Sequence, residues 1–398
     1  MTGVVIVDAV RTPIGRFRGA LSGVRADHLG ASVLRAIVER NGVTPDVVDD
    51  VVFGCVTQIG EQCGNIARTA LLGAGWPEHI PGMTVDRKCG ASEAAIHTAV
   101  GEIASGLADV VVAGGAENMT RVPMGSNRAL HGETFGWKLT DRFNLTSQSE
   151  AAEKIADHYG FTRDDIDDFA IESHRRAAAA ADRGDFNGEI APVDLAEYAE
   201  RDLDEARTIA ADETIRRDTS REKLATLKAS FREDGRVTAG NSSQICDGAA
   251  ALLLASEAAA DRLGLKVRAR IHALTVVGSD PELMLTGPIA ATSKILERSG
   301  LNLSDIDLFE VNEAFATVPM AWMKAHGVGH DRLNVNGGAI ALGHPLGGSG
   351  ARIMTTLLNA LERRGGRFGL QSICCAGGMA TATIIERVGQ AQSSERTA

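Results

Sequence analysis

The 398-residue chain carries 41 basic and 52 acidic side chains, a formal charge of −11 that disfavours a sequence-independent nucleic-acid partner, which needs a basic surface. With 44% hydrophobic and 23% charged residues, it has the composition of a globular protein of two or three domains. Wholesale disorder, collagen-like repeats and disulfide scaffolds are excluded.

The opening MTGVVIVDAVRT lacks the charged and apolar regions of an export signal and predicts a buried strand at Val4–Val7. A helix follows at Asp27–Arg40, a strand at Val51–Phe53, a helix at Ala91–Ser105 and a strand at Val110–Ala113. Thr162-x-x-Asp165 is a capping-box-like start for a helix over Asp165–Ala181. Strands at Leu252–Ala255 and Asp307–Glu310, helices at Glu313–Ala325 and Ser349–Arg363, and a strand at Leu370–Cys374 complete the alternation. Short β-rich runs between longer Ala-rich helices are the pattern of βαβ units in parallel sheets. The longest apolar stretch, Ala249–Ala255, is far below the ~18 residues of a membrane span, so no span and a cytoplasmic location are expected.

Two distant segments look alike. NGVTPDVVDDVVFG, starting at Asn41, resembles SGLNLSDIDLFEVN, starting at Ser299, and VVVAGG at 110–115 resembles SICCAGG at 372–378. Both matches share an offset of about 260 residues, which predicts two copies of one domain. The stretch 119–248 has a different texture, rich in Arg, Asp, Glu and Ala, and reads as an insertion covering a site built by the two copies. The expected domains are 1–118 plus about 249–270, the insertion 119–248, and 271–398.

Cys89 precedes the Ala91–Ser105 helix, where unpaired N–H groups and the macrodipole stabilise a thiolate, with Arg87 and Lys88 nearby. On this segment alone, a packing cysteine and a nucleophile are equal readings. The Gly337–Gly350 segment suggests a phosphate loop, but Gly343 is followed by His344 rather than Lys-Ser/Thr, so that reading fails. What remains is a histidine in a glycine-lined turn, suited to act as a general base. Asn312 opens Asn-Glu-Ala-Phe-Ala at the end of a strand, either as a helix cap or as a donor or water holder for an oxyanion. Cys374 and Cys375 close another strand, where successive side chains take opposite faces. The six cysteines show no CxxC spacing, and His326 and His330 have no HExxH context and read as a solvated helix end, so no metal is expected.

Together these segments resemble the thiolase family, the acyl-CoA C-acyltransferases. The resemblance runs through VDAVRTPIGRFRGAL, VDRKCGAS, VTAGNSSQICDGAAALLLAS and the NEAF, GHP and final cysteine loops, in family order. The stretch GCVTQIGEQCGNIARTALLGAGWPEHIPG is most similar to bacterial acyltransferases associated with degrading fatty acyl or steroid side-chain CoA esters. The resemblance implies an α/β fold of two repeated βαβαβαββ halves in five layers, α-β-α-β-α, with an inserted loop domain. It implies CoA and acyl-CoA as substrates, no permanently bound cofactor, and a homodimer or dimer of dimers. Cys89 would be the acyl-accepting nucleophile, His344 its activator, Cys374 the acid/base at the acetyl α-carbon, and Asn312 the holder of an oxyanion-hole water. Ser243 and Arg216 match CoA-contacting positions and Phe231 a pocket-lining one.

Three departures accompany it: Ala91 for a serine, Ala376 for a glycine, and Gln148 for a methionine of the acyl pocket. The chemistry is coherent independently of the family. Passing an acyl group from carbon to a thiol requires a thiol nucleophile, a second acid/base for the enolate, and two sets of oxyanion donors. A decarboxylating condensing enzyme of the same fold is the alternative, and Cys374 argues against it. A non-catalytic CoA- or lipid-binding relative would be expected to lose Cys89, His344 or Cys374.

Overall fold

Two runs of strand and helix repeat the same plan in the computed structural model, which describes residues 3–128, 131–199 and 207–389. The ends of the expected domain spans, at 1–2 and 390–398, lie outside the described residues. The first run is β1 (Val4–Arg11), α1 (Ala26–Asn41), β2 (Asp50–Gly54), α2 (Ile66–Gly73), β3 (Gly82–Val85), α3 (Ala91–Ser105) and β4 (Val110–Asn118). Between β4 and its return strand β5 (Cys246–Ser256) lie two longer helices, α4 (Gln148–Tyr159) and α5 (Arg163–Asp182). The second run is β6 (Ala269–Gly278), α6 (Gly287–Ser299), β7 (Leu308–Val311), α7 (Thr317–His326), α8 (Ser349–Arg364), β8 (Phe368–Cys375) and β9 (Met379–Arg387).

The strand orders match. In the first run the order is β1-β5-β4-β2-β3, and in the second it is β6-β9-β8-β7. In each, the first strand pairs antiparallel with the last, the last antiparallel with the strand before it in the chain, and that strand runs parallel to its other neighbour, β2 or β7. The second run reduces the counterpart of β3 to a single parallel bridge between Phe309 and Leu333. The two sheets join where β1 meets β6 antiparallel, Val5 opposite Arg270 and Ile6 opposite Ala269.

Hydrophobic patterning explains the layers. Strand alternation sends Val5, Val7, Val51, Phe53 and Val112 to one face, where they pack with Leu29, Leu34 and Ile37 of α1 and with α2. The opposite face, with Ile6, Val52, Val111 and Leu252, packs on Ile96 and Val100 of α3 and Met354 and Leu358 of α8. The outer face of the second sheet, with Phe309, Leu370 and Ile384, packs on Ile295 of α6 and Trp322 of α7. Helices α3 and α8 thus form the middle layer of five. They approach closely: a Cβ on Gly350 would lie 2.3 Å from the Glu93 backbone nitrogen, so glycine is required there.

Helix boundaries follow local chemistry. The Thr162 capping box forms, with the Thr162 N–H donating to Asp165 Oδ2 at 2.8 Å and the Asp165 N–H returning to Thr162 Oγ1 at 3.2 Å. The expected helix Glu313–Ala325 instead begins at Thr317. Buried Glu313 accepts from Ser173 Oγ, Asn334 Nδ2 and the Ile340 N–H at 2.7–3.1 Å, which holds Asn312–Ala316 out of the helix. That helix ends at His326, so His330 does not continue its spacing; its ring stacks on Phe169 at 4.7 Å.

Candidate active site

The N-termini of α3 and α8 are equivalent points of the two repeats, and the loops leading into them carry Cys89 and His344. Cys89 sits in a sharp turn whose preceding residue, Lys88, has φ of 52°, a left-handed conformation that costs a non-glycine residue on the order of 1–2 kcal/mol. The turn is held by the Lys88 N–H on Asp86 Oδ1 at 2.8 Å and by the Ala91 N–H on the Lys88 carbonyl at 2.9 Å. Burial pushes the Cys89 thiol up to about 11, against its own N–H, the Ala376 N–H and the Lys88 charge, which all favour the thiolate. At rest the group is therefore a thiol.

His344 is buried, and its surroundings fix its tautomer. Ser349 Oγ donates to the Pro345 carbonyl at 2.8 Å and lies 2.5 Å from His344 Nδ1. A hydroxyl has one proton, so Ser349 must accept from Nδ1–H, leaving Nε2 with a free lone pair. Asn312 Nδ2 donates to that Nε2 at 3.4 Å. Burial and the nearby Arg352 charge press the imidazole down to about 3, so it is neutral throughout the physiological range.

Cys374 and Cys375 are both buried, and burial raises both thiols; each also feels Cys89 electrostatically. They part as the strand alternates. Cys374 packs in one cluster with Ala314, Phe315 and Ala376, whereas a Cβ on Gly90 would meet the Cys375 sulfur at 2.7 Å. Cys375 therefore lies against the start of α3. Of the six cysteines, none in a disulfide, only Cys63 is exposed.

Ser243, Arg216 and Phe231 each contact segments next to Asn312 or His344. The Ser243 N–H donates to the Ala314 carbonyl at 3.0 Å, and exposed Phe231 stands edge-on to Phe315 at 6.5 Å. Arg216 reaches Gln244 Oε1 at 3.4 Å, and the Gln244 carbonyl accepts from the His344 N–H. A separate cleft of about 670 Å³ opens directly on Cys89, lined by Val56, Leu346, Gln148, Ala376 and residues of the 124–135 segment.

Three residues that organise the site escaped the sequence reading. Glu117, at the end of β4, accepts from the N–H groups of Val56, Thr57 and Gly347 and from Gln62 Nε2, each at 2.9 Å. It ties one wall of the Cys89 cleft to the loop after His344. An acid closing an otherwise apolar strand was its only sequence signal. Ser349 was read merely as a helix start. Ser92 accepts from the Ala351 N–H at 3.0 Å, joining the first turns of α3 and α8 beside the substituted Ala91. Among the described residues no group of three His, Cys, Asp or Glu side chains could hold a metal ion, and no helix is long and apolar enough to cross a membrane.

Comparison with known proteins gives a consistent picture. Residues 4–258 match the family model of the thiolase N-terminal domain, and residues 265–387 that of the thiolase C-terminal domain. The chain is 46% identical to a steroid 3-ketoacyl-CoA thiolase of Mycobacterium tuberculosis, over 98% of this chain and 95% of that protein. It is likewise 46% identical to a beta-ketoadipyl-CoA thiolase of Pseudomonas putida, over 98% and 100%. The crystal structure of the Bacillus anthracis acetyl-CoA acetyltransferase superposes with a TM-score of 0.89 at 39% identity, covering 98% of this chain and 99% of that one.

Proposed function

The chain belongs to the thiolase family and is an acyl-CoA C-acyltransferase acting on CoA thioesters; from that premise we propose how its residues divide the work. In the cleavage direction, His344 Nε2 takes the Cys89 proton and the thiolate attacks the 3-oxo carbon of a 3-ketoacyl-CoA. The C2–C3 bond then breaks, leaving the acyl group on Cys89 as a thioester and the enolate of acetyl-CoA. Cys374 gives its proton to the enolate carbon. Its thiolate next takes the proton of an incoming CoA thiol, which attacks the thioester, and the departing Cys89 recovers the proton held by His344. Condensation is the same path reversed.

The observation that carries this reading is that Cys89 and Ala376 line one cleft, where the N–H groups of both residues favour the thiolate. Donors already fixed there stabilise charge on the thioester oxygen without rearranging. Asn312, bonded to His344, would hold the water that serves the enolate oxygen. Ser243, Arg216 and Phe231 would receive CoA. We assign the halves to 1–118 plus about 249–270 and to 271–398, with 119–248 inserted as a cover. A homo-oligomer, dimer or dimer of dimers, working in the cytoplasm in fatty-acyl β-oxidation completes the proposal; six unpaired cysteines suit a reducing compartment.

The test is direct. The protein incubated with acetoacetyl-CoA and CoA is expected to consume the magnesium-enolate absorbance, and Cys89→Ala to abolish this. Persistence of activity in that variant would overturn the assignment.

A further inference from the structure

Arg352 is 1% exposed, and none of its three guanidinium nitrogens has a hydrogen-bond partner among the described residues. An unpaired buried cation disfavours folding, and an apolar side chain of similar volume is commonly as stable or more so. Packing therefore does not explain this residue, but its place in the fold does. Ser349, which accepts from His344 Nδ1–H, opens α8, and Arg352 follows three residues on, along the same face of the helix. Asn312, which donates to His344 Nε2, extends β7 through its N–H on the Ser372 carbonyl at 3.1 Å. Glu310 stands two residues earlier in that strand, on the same side. The two residues that hold the imidazole are thus each backed by an ionisable side chain, Arg352 behind Ser349 and Glu310 behind Asn312.

Burial first, and then the Arg352 charge, keep His344 neutral. The charges that bear on Cys374 are instead those of Cys89 and Cys375. Glu310 faces Arg352 from β7, with Glu313, Glu189 and Arg176 around it, and Arg11 and Cys246 also face Arg352. Glu189 accepts from Arg11 Nε and Thr356 Oγ1 at 2.9 and 3.1 Å, and Glu313 from the three donors described above. Burial, joined by Glu313 and Glu189, pushes the Glu310 carboxyl up to about 8 against the pull of Arg352 and Arg176, so near neutral pH it is mostly uncharged.

A cation so placed works against a positive imidazole and in favour of a negative charge beside it. The enolate step forms such a charge: Cys374 sulfur takes the α-proton of acetyl-CoA, and the C–H electron pair ends on the thioester oxygen. The reaction proposed above, on which this reasoning rests, puts that oxygen near Asn312 and His344. We infer that Arg352 is a positioning residue for the enolate step, its cation acting across His344 and Asn312 to stabilise the enolate, with the Glu310 carboxylate as the counter-charge that offsets it. Acetylation of Cys89 gains nothing from Arg352, because there the imidazole must become positive.

The test follows two half-reactions of the full-length protein with acetyl-CoA: the CoA burst, which reports acetylation, and α-proton exchange in deuterated water, which reports the enolate. Arg352→Met is expected to slow exchange at least about tenfold, while the burst stays within about threefold of wild type or rises. A role in packing alone would slow both together; that result would overturn the inference, as would unchanged exchange. Glu310→Gln keeps the shape without the charge, and it decides the matter if Arg352→Met fails to fold. Its exchange rate relative to wild type should be close to one at about pH 7 and rise at least about threefold by about pH 9, where the wild-type carboxyl ionises and the glutamine does not. A ratio flat across that range would overturn the inference. Absence of both burst and exchange from the wild-type protein would instead refute the reaction reading, and the inference with it.

Discussion

Replacing Ser349 with alanine tests whether the His344 tautomer is imposed. Ser349 Oγ, at 2.5 Å from Nδ1, is the group that fixes the proton there, and the 3.4 Å contact from Asn312 is too long to do so alone. A buried neutral hydrogen bond is worth about 0.5–1.5 kcal/mol net, and one to a charged group about 1.5–3 kcal/mol. The imidazole becomes charged only when it takes the Cys89 proton, so the variant loses roughly 1–1.5 kcal/mol more in that step than at rest. This slows acylation about tenfold. Freedom to place the proton on Nε2 removes part of the population from the productive state, for a combined effect of about 10–100-fold. The assay is rapid mixing with acetyl-CoA and measurement of the CoA burst, alongside a thermal melt. A burst rate within about twofold of wild type would refute the tautomer argument; a lowered Tm with an unchanged burst would reduce Ser349 to packing.

A buried Cys89 thiol near 11 implies that its thiolate fraction rises about tenfold per pH unit below that value. Iodoacetamide modification, read on the Cys89 peptide because exposed Cys63 also reacts, should climb without a plateau from about pH 7 to 10; a plateau near neutrality contradicts this. Cys374→Ser should retain acetylation of Cys89 while turnover and α-proton exchange from acetyl-CoA fall at least about a hundredfold, and Cys375→Val should leave exchange intact. The opposite pattern in deuterated water would move the loop register by one residue. Arg11→Met strands the buried carboxylates of Glu189 and Asp212, which Arg11 holds at 2.9 and 2.7 Å, and should cost about 3–5 kcal/mol in a urea titration. A loss below about 1 kcal/mol would show that the site relaxes.

What the sequence made legible, and what it did not, has a physical pattern. Ala91–Ser105 and Val110–Ala113 stood out because a helix buried between both sheets is largely apolar and a central strand is a continuous apolar run, although the strand extends to Asn118. Ala269–Gly278 was missed because it alternates buried and part-buried residues, with Arg270 and His272 in the sequence, and Met379–Arg387 because its buried threonines lower its apolar signal. Gly82–Val85 is a short edge strand with little to distinguish it from a loop. Motif order singled out Cys89 and His344, which precede α3 and α8, Asn312, which bonds to His344, and Cys374 near the end of β8. Glu117 and Ser349 act on backbone N–H groups and a ring nitrogen, and no local pattern encodes such pairings.

The division of the site between two repeats has a consequence in time. The nucleophile belongs to the first copy, while the imidazole, the amide beside it and the second thiol belong to the other copy. During synthesis Cys89 leaves the ribosome long before its partners, and its thiol has no catalytic partner until β8 and β9 close the second sheet. Refolding experiments should therefore see native secondary structure return ahead of acyl transfer, with catalysis appearing only when α3 and α8 dock. Enzymatic turnover is in this sense a late reporter of the chain's own completion.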